Sequence, residues 1–351
     1  MNRKTLSIIL AKFLLFIPLC IVCRSPLAAT FSHSYDHTLD FYGTIIARRF
    51  ISHDLADDGD RSYLYFGLKG NKRLNPEWQA YGQWEYTVSA SDASRNATRL
   101  AFMGLKNQSL GQIDIGRNWG VLYDVTSLTD RSPLFREMSY NYIDNFMRGR
   151  ALNLITYRKS LNVVSRTIKL TLQYQLPGNQ PSTPAMKQNG QGFGASLSYS
   201  LTPYFDAIIA SSSSEATRTQ YETQHFQQHI NTLAAGLKYQ SPKVYLAAIS
   251  TQSNNTIHPE SDMNNHASSS YEILGKYMLT EHFQPEIGYT RLMQTVDRHR
   301  QSLLNYEEIG FSYFLNKSMQ IFVDYKINNI KKNPSRIDSS DKLDVGLSYH
   351  W

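Results

Sequence analysis

Hydrophobic and polar residues alternate one by one over long stretches of this chain. The last ten residues, KLDVGLSYHW (342–351), put Leu343, Val345, Leu347, Tyr349 and Trp351 on one side and Asp344, Gly346, Ser348 and His350 on the other. Residues 319–328 repeat the pattern, with Met319, Ile321, Val323, Tyr325 and Ile327 opposite Gln320, Phe322, Asp324, Lys326 and Asn328. Residues 308–314 and 285–291 repeat it through Ile309, Phe311 and Tyr313, then Ile287 and Tyr289. A period of two with unlike sides is a strand between unlike surroundings. Strands of a soluble sandwich mostly run to ~5–6 residues and close two apolar faces on each other. Here they run to about ten residues, the pattern of tilted strands ~9–11 residues long that face lipid outside and water inside. The pattern predicts an all-β fold, a transmembrane antiparallel β-barrel. Counting alternating segments from 37–49 to 342–351 gives about 16 strands. No apolar run after residue 29 approaches the ~20 residues of a membrane helix.

The connections support a barrel. Short ones near 107–110, 200–203, 240–243, 280–284 and 314–318 alternate with long polar ones near 51–60, 89–96, 116–142, 176–191, 213–229, 252–269, 294–303 and 329–341. Short turns at one rim and long loops at the other mark outer-membrane barrels. Many of the 23 tyrosines stand near strand ends, among them Tyr42, Tyr157, Tyr174, Tyr239 and Tyr313, as an aromatic girdle requires.

One connection stands apart. Residues 111–150 start as a strand and then run about thirty residues without a clean period, a length usually functional or disordered. Trp119, Val121, Leu122, Tyr123, Leu128, Leu134, Phe135 and Tyr140 make it too apolar for disorder, so it must pack on something. It also carries Asp124, Asp130, Arg131, Arg136 and Glu137, with Arg148 and Arg150 leading into the next strand. These features predict a loop, about 116–142, folded into the barrel lumen, where its charges polarise a pore.

The N-terminus changes the charge balance. Arg3 and Lys4, an apolar stretch at 13–23 and Leu27-Ala28-Ala29 read as a signal peptide over 1–29, followed by a barrel domain over 30–351. Cys20 and Cys23, the chain's two cysteines, leave with it, so the mature chain has neither disulfides nor thiolate metal sites. Four of the 36 basic residues (Arg3, Lys4, Lys12 and Arg24) leave too, and no acid does, so 32 bases face 29 acids. Near neutrality removes the main support for a nucleic-acid partner.

Several stretches carry a family resemblance: LDFYG (39–43), AYGQWEY (80–86), TRLAFMGLK (98–106), DIGRNWGVLYD (114–124), TDRSP (129–133), YIDNFMRGR (142–150) and ITYRKS (155–160). NYEEIGFSYFLNKSMQIFVDYKIN and the closing VGLSYHW extend it to the C-terminus. In these the chain resembles the general trimeric porins of Gram-negative outer membranes. The resemblance implies a sixteen-stranded barrel, a homotrimer in outer-membrane lipid with lipopolysaccharide, and passive diffusion of ions and small hydrophilic solutes. It also implies a third loop whose acids face basic residues on the wall. Asp130 matches the first loop acid. The second acid is replaced by Leu134, for which Glu137 stands in beside Arg136. Arg99 and Arg150 match wall arginines, and Arg148 shares the face of Arg150 by parity. Parity also turns Arg99 inward, with Leu100 and Phe102 pointing to lipid or to a neighbouring subunit. Thr44 and Tyr65 stand where two more wall cations would be. The expected constriction is thus Asp130, Arg136, Glu137, Arg99, Arg150 and Arg148, and the expected channel is weakly charge-selective.

Other chemistry finds little support. His225 and His229 have i,i+4 spacing but no helical apolar stripe and no carboxylate neighbour, so no metal site is expected. DLADDGD (54–60) lacks the ligand order of a calcium loop. GQGFG (190–194) precedes a strand where a phosphate loop needs a helix. No serine sits in a nucleophile elbow, so neither catalytic residues nor a cofactor are expected. A solute-specific channel, with stacked aromatics for sugars or a basic ladder for anions, would use the same barrel; saturating flux would mark it. A receptor role would rest on the long loops.

Overall fold

The computed structural model describes residues 29–351 apart from 56, 132–144, 164–165, 179, 181–182, 225, 257–265, 297–298 and 331–339. The leader proposed from the sequence therefore lies almost wholly outside the described residues. The chain begins with β1 (Ala29–His33), β2 (His37–Ser52) and the two-residue β3 (Gly59–Asp60). Then follow β4 (Tyr63–Arg73), β5 (Trp78–Ser89), β6 (Ala97–Asn107) and β7 (Gly111–Trp119). Beyond residues 120–149 lie β8 (Arg150–Val163), β9 (Arg166–Gln175), β10 (Gly192–Thr202), β11 (Phe205–Glu215), β12 (His229–Gln240) and β13 (Val244–Thr256). The chain ends with β14 (His266–Tyr277), β15 (Phe283–Val296), β16 (His299–Phe314), β17 (Met319–Asn328) and β18 (Lys342–His350).

Sixteen of these eighteen strands close a barrel. Each of β4 to β18 pairs antiparallel with the next, β2 pairs with β4, and β18 returns to β2 from Lys342↔Ser52 to His350↔Thr44. The two short strands add to β2 only. β3 pairs at its end through Asp60, and β1 continues the lane of β18 from Ala29↔Phe41 to His33↔Thr38. A short connection at 74–77, and the direct pairing of Val163 with Arg166 between β8 and β9, lie where the sequence pattern showed no turn. The expected long loop at 294–303 is mostly hairpin, since Gln294, Thr295 and Val296 pair with Gln301, Arg300 and His299. Strand ends standing above lipid need no apolar side, so the period of two does not report them.

Burial follows the alternation. On β17, Phe322, Asp324 and Lys326 are buried, while Tyr325 and Ile327 are exposed. Across β11 to β16 the outward positions are aliphatic, with Ile209, Leu233, Leu237, Leu246, Ile273, Ile287 and Ile309 exposed, as a lipid-facing belt requires. Tyr204–Tyr239 and His282–Tyr313 flank two short turns, and Tyr174–Phe193 flanks a long connection. Tyr42 is not a girdle residue: its hydroxyl donates to Glu85 Oε2 at 2.8 Å inside the barrel. Its place near a strand end misled, because position along a strand does not fix side.

The closing seam holds a buried ion pair. Arg48 on β2 donates through Nε to Asp344 Oδ1 on β18 at 3.2 Å and through Nη2 to Asp344 Oδ2. The guanidinium lies 4.8 Å from the Phe50 ring centroid. Lys342 Nζ reaches Asp57 at 2.9 Å across the same seam. Removing one partner of such a pair leaves a buried charge uncompensated and costs ~3–5 kcal/mol. Arg48→Met should lower barrel stability by about that much in urea unfolding of the refolded protein, and adding Asp344→Leu should restore most of the loss.

The same seam ends on Trp351. Its backbone N–H donates to Gly43 O at 3.1 Å, Gly43 N–H returns a bond to Trp351 O at 3.3 Å, and its ring lies 5.8 Å from Phe41. A Cβ on Gly43 would run into the indole, so glycine makes room for it. Deleting Trp351 should leave export across the inner membrane intact and lower outer-membrane insertion. Fractionation of pulse-labelled cells measures both.

Candidate pore constriction

Residues 120–131 leave β7 and pack against the inner wall. Val121, Leu122, Val125 and Leu128 are buried against Ala210, Ala234, Tyr245, Ala247, Ile249 and Leu274 on β11 to β14. Three of these six wall side chains are alanine, which makes room for the segment. A Cβ on Gly236 would stand 2.8 Å from Leu128 Cδ1. A one-turn helix, Tyr123–Thr126, forms the middle of the segment. Its polar groups are tied down as well: Thr171 and Ser196 hydroxyls donate to Asp124 Oδ2, and the Tyr245 hydroxyl donates to Leu128 O at 2.6 Å. Thr129 Oγ1 donates to Glu272 Oε2 at 2.5 Å, and Lys276 Nζ to Arg131 O at 2.7 Å. The segment thus reaches from β7 to β14.

Its return is stitched to its departure. Gly120 N–H donates to Gly149 O at 2.7 Å and Leu122 N–H to Met147 O at 3.2 Å. Phe146 and Met147, both buried, hold left-handed backbone at φ 53° and 57°. Side chains of this size are disfavoured there, and such strain persists only where the surroundings impose it.

Between segment and wall lies a hollow of about 390 Å³, lined by Tyr65, Lys69, Gln83, Glu85, Arg99, Leu100, Phe102, Asn118, Trp119, Tyr123 and Asp130. Asp130 accepts from the Tyr123 hydroxyl at 2.8 Å. The Tyr123 ring stacks on Trp119 with centroids 3.7 Å apart and planes at 10°. On the wall Arg99 pairs with Glu85, and its guanidinium lies 5.1 Å from the Tyr65 ring centroid. Lys69 Nζ stands 4.5 Å from the Tyr42 ring.

Asp130 and Arg99 are therefore brought together, but Arg99 turns inward for another reason than parity. Leu100 and Phe102 pair with Glu85 and Gln83 and line the hollow, while Met103 and Leu105 are exposed outside. The expectation that Leu100 and Phe102 face lipid is corrected. A bulge sets Leu100 opposite Glu85 but Thr98 opposite Tyr86, and Arg99 is the extra residue. Bulges re-aim side chains in this way. Arg150 lies 5.4 Å from the Trp119 ring centroid, at the edge of the constellation.

Arg148 is corrected outright. It is 1% exposed, with Nη2 donating to Thr232 Oγ1 at 3.2 Å and Ser253 Oγ at 2.5 Å on β12 and β13. Strand parity does not reach it: β8 starts only at Arg150, and Arg148 lies in the turn before it, with its N–H donating to Asn145 O at 3.0 Å. Arg136 and Glu137, like Leu134, lie outside the described residues, as does His225. Sequence reasoning missed Glu85, Gln83 and Lys69. Gln83 and Glu85 alternate on β5 beside TRLAF, Lys69 pairs with Gln83 from β4, and inward parity could have found them.

Residues 36–351 match the family model described as Gram-negative porin. The outer membrane porin PhoE of Enterobacter cloacae is 36% identical over 334 residues, covering 92% of this chain and 94% of that protein. The porin PhoE of Escherichia coli K12 is 34% identical over the full length of both. Among solved structures, Salmonella typhi OmpF in complex with daunomycin superposes with a TM-score of 0.81 at 30% identity, covering 90% of this chain and 98% of that one.

Proposed function

The chain belongs to the Gram-negative porin family, and from that premise we infer how its own residues set what passes through it. It forms an outer-membrane channel through which solutes cross by passive diffusion. We propose that residues 116–142 narrow the lumen and that the hollow between Asp130 and the Glu85–Arg99 pair is the constriction. The observation that carries this reading is the hollow itself, with one acid on the segment and an acid and two bases on the wall. Arg150 stands at its edge; Arg136 and Glu137, outside the described residues, carry one charge of each sign in the same loop sequence.

Selectivity follows the charge at the narrowest section, where low-dielectric walls focus the field. Glu85 and Asp130 balance Arg99 and Lys69, so the channel discriminates weakly between small cations and anions. Asp130→Ala should shift the zero-current potential toward anions under a salt gradient. Arg99→Ala, which frees Glu85, should shift it toward cations. Both shifts should shrink at 1 M salt, where the screening length falls to ~3 Å. Conductance with no shift in either variant would place the constriction elsewhere.

The subunit contact is proposed on the outer side of β2, β4, β5 and the C-terminus. The aliphatic belt gives way there to aromatics: Phe41, Phe66, Trp84, Tyr86, Tyr349 and Trp351 form a connected set with centroids 5.8–6.3 Å apart. Three such faces make a homotrimer, with lipopolysaccharide around the outer rim. The double variant Phe66→Ala, Trp84→Ala should migrate as a monomer on an unheated dodecyl sulfate gel, where the parent stays trimeric. A leader over residues 1–29, removed to leave the barrel domain over 30–351, is the processing we propose.

A further inference from the structure

We propose that the hollow is also a binding subsite for uncharged, ring-shaped polyhydroxylated solutes, that is, sugars. This rests on the constriction reading above and adds affinity to it. Its basis is the arrangement of rings. Trp119 ends β7 and Tyr123 opens the one-turn helix, so a tight connection sets the two rings face to face at 3.7 Å. The pair is fixed at both ends, by the Tyr123 hydroxyl on Asp130 and by Arg150 near the indole. On the wall Tyr65 is held under Arg99, which Glu85 holds in turn. Rings fixed in this way bind without ordering on contact, and rigid aromatics give contact area at low entropic cost.

A sugar ring matches what the hollow offers. Its C–H bonds carry partial positive charge and settle in weak, recurring contacts against the parts of Tyr65, Trp119 and Tyr123 that line the hollow. Its hydroxyls need donors and acceptors at a fixed distance from that face. Gln83, Glu85, Arg99 and Asp130 supply both within the same hollow. The lining carries two acids and two bases. An anion meets Glu85 and Asp130, a cation meets Arg99 and Lys69, and a neutral solute meets no opposing charge. The volume falls within the ~300–1,000 Å³ range of small-ligand sites. Binding inside a channel has to be weak enough for release, so the affinity belongs in the range where flux saturates without stopping.

The test uses the full channel in planar bilayers, with maltose or maltotriose as probe and polyethylene glycol of matched size as a ringless control. Sugars should reduce ion conductance saturably and add open-channel noise, and the glycol should reduce it only in proportion to its concentration. Tyr65→Leu and Trp119→Leu should each raise the half-blocking sugar concentration at least ~tenfold, about 1.4 kcal/mol, with Tyr65→Phe close to the parent. Should Trp119→Leu fail to insert, the Tyr65 pair of variants decides. A conducting channel in which sugar and glycol act alike, or in which Tyr65→Leu leaves the half-blocking concentration unchanged, overturns the subsite. A chain that inserts and passes no ions overturns the channel reading instead.

Discussion

A backbone in lipid has no water to bond with, and everything else in this molecule depends on that. Each N–H and C=O must find a partner in the protein, at several kcal/mol for each failure. Closure of β18 on β2 meets the demand at the last remaining edge. Once the ring is closed, every strand has one side in lipid and one in the lumen, which is why the sequence alternates. It also explains why charged residues such as Lys326 and Asp344 can be buried without lying in an apolar core. They sit on the inward side of a wall whose outward side is already committed to lipid.

Closure creates a second problem, because a barrel of sixteen strands is wide. Residues 120–131 fill part of that width. The packing is reciprocal: the segment offers Val121, Leu122, Val125 and Leu128, and the wall answers with Ala210, Ala234 and Ala247. Small residues at those positions cost the wall nothing on its lipid side, since parity separates the two sides. The seat fixes Tyr123 and Asp130, and through them one boundary of the hollow. The other boundary comes from the bulge on β6 that aims Arg99 at Glu85 and Tyr65. Two irregularities, one in a loop and one in a strand, thus build the hollow from an otherwise regular wall.

Much of the fold was legible in the residues. Alternation is a local property: a residue's side depends only on its count along the strand, and lipid or water then selects its type. The sixteen strands and the outward aliphatics could be read for that reason, and the packing of residues 121–128 from the apolar side chains of a stretch without a period. The places where local counting fails were not legible. The extra residue at Arg99 reverses the sides of Leu100 and Phe102, and nothing in TRLAF marks it. The turn through 146–149, which opens with the left-handed pair Phe146–Met147, keeps Arg148 out of β8, and its guanidinium meets the hydroxyls of Thr232 and Ser253. Those conformations are held by partners on other elements: Glu85 and Tyr65 for Arg99, Ser212 and Phe226 for Phe146, and Leu122 for Met147. The sequence by itself determined the barrel, since lipid imposes a period on each strand separately. Only the tertiary structure decided which charges and rings meet in the hollow, since that depends on bulges, strained turns and seats formed when distant strands come together.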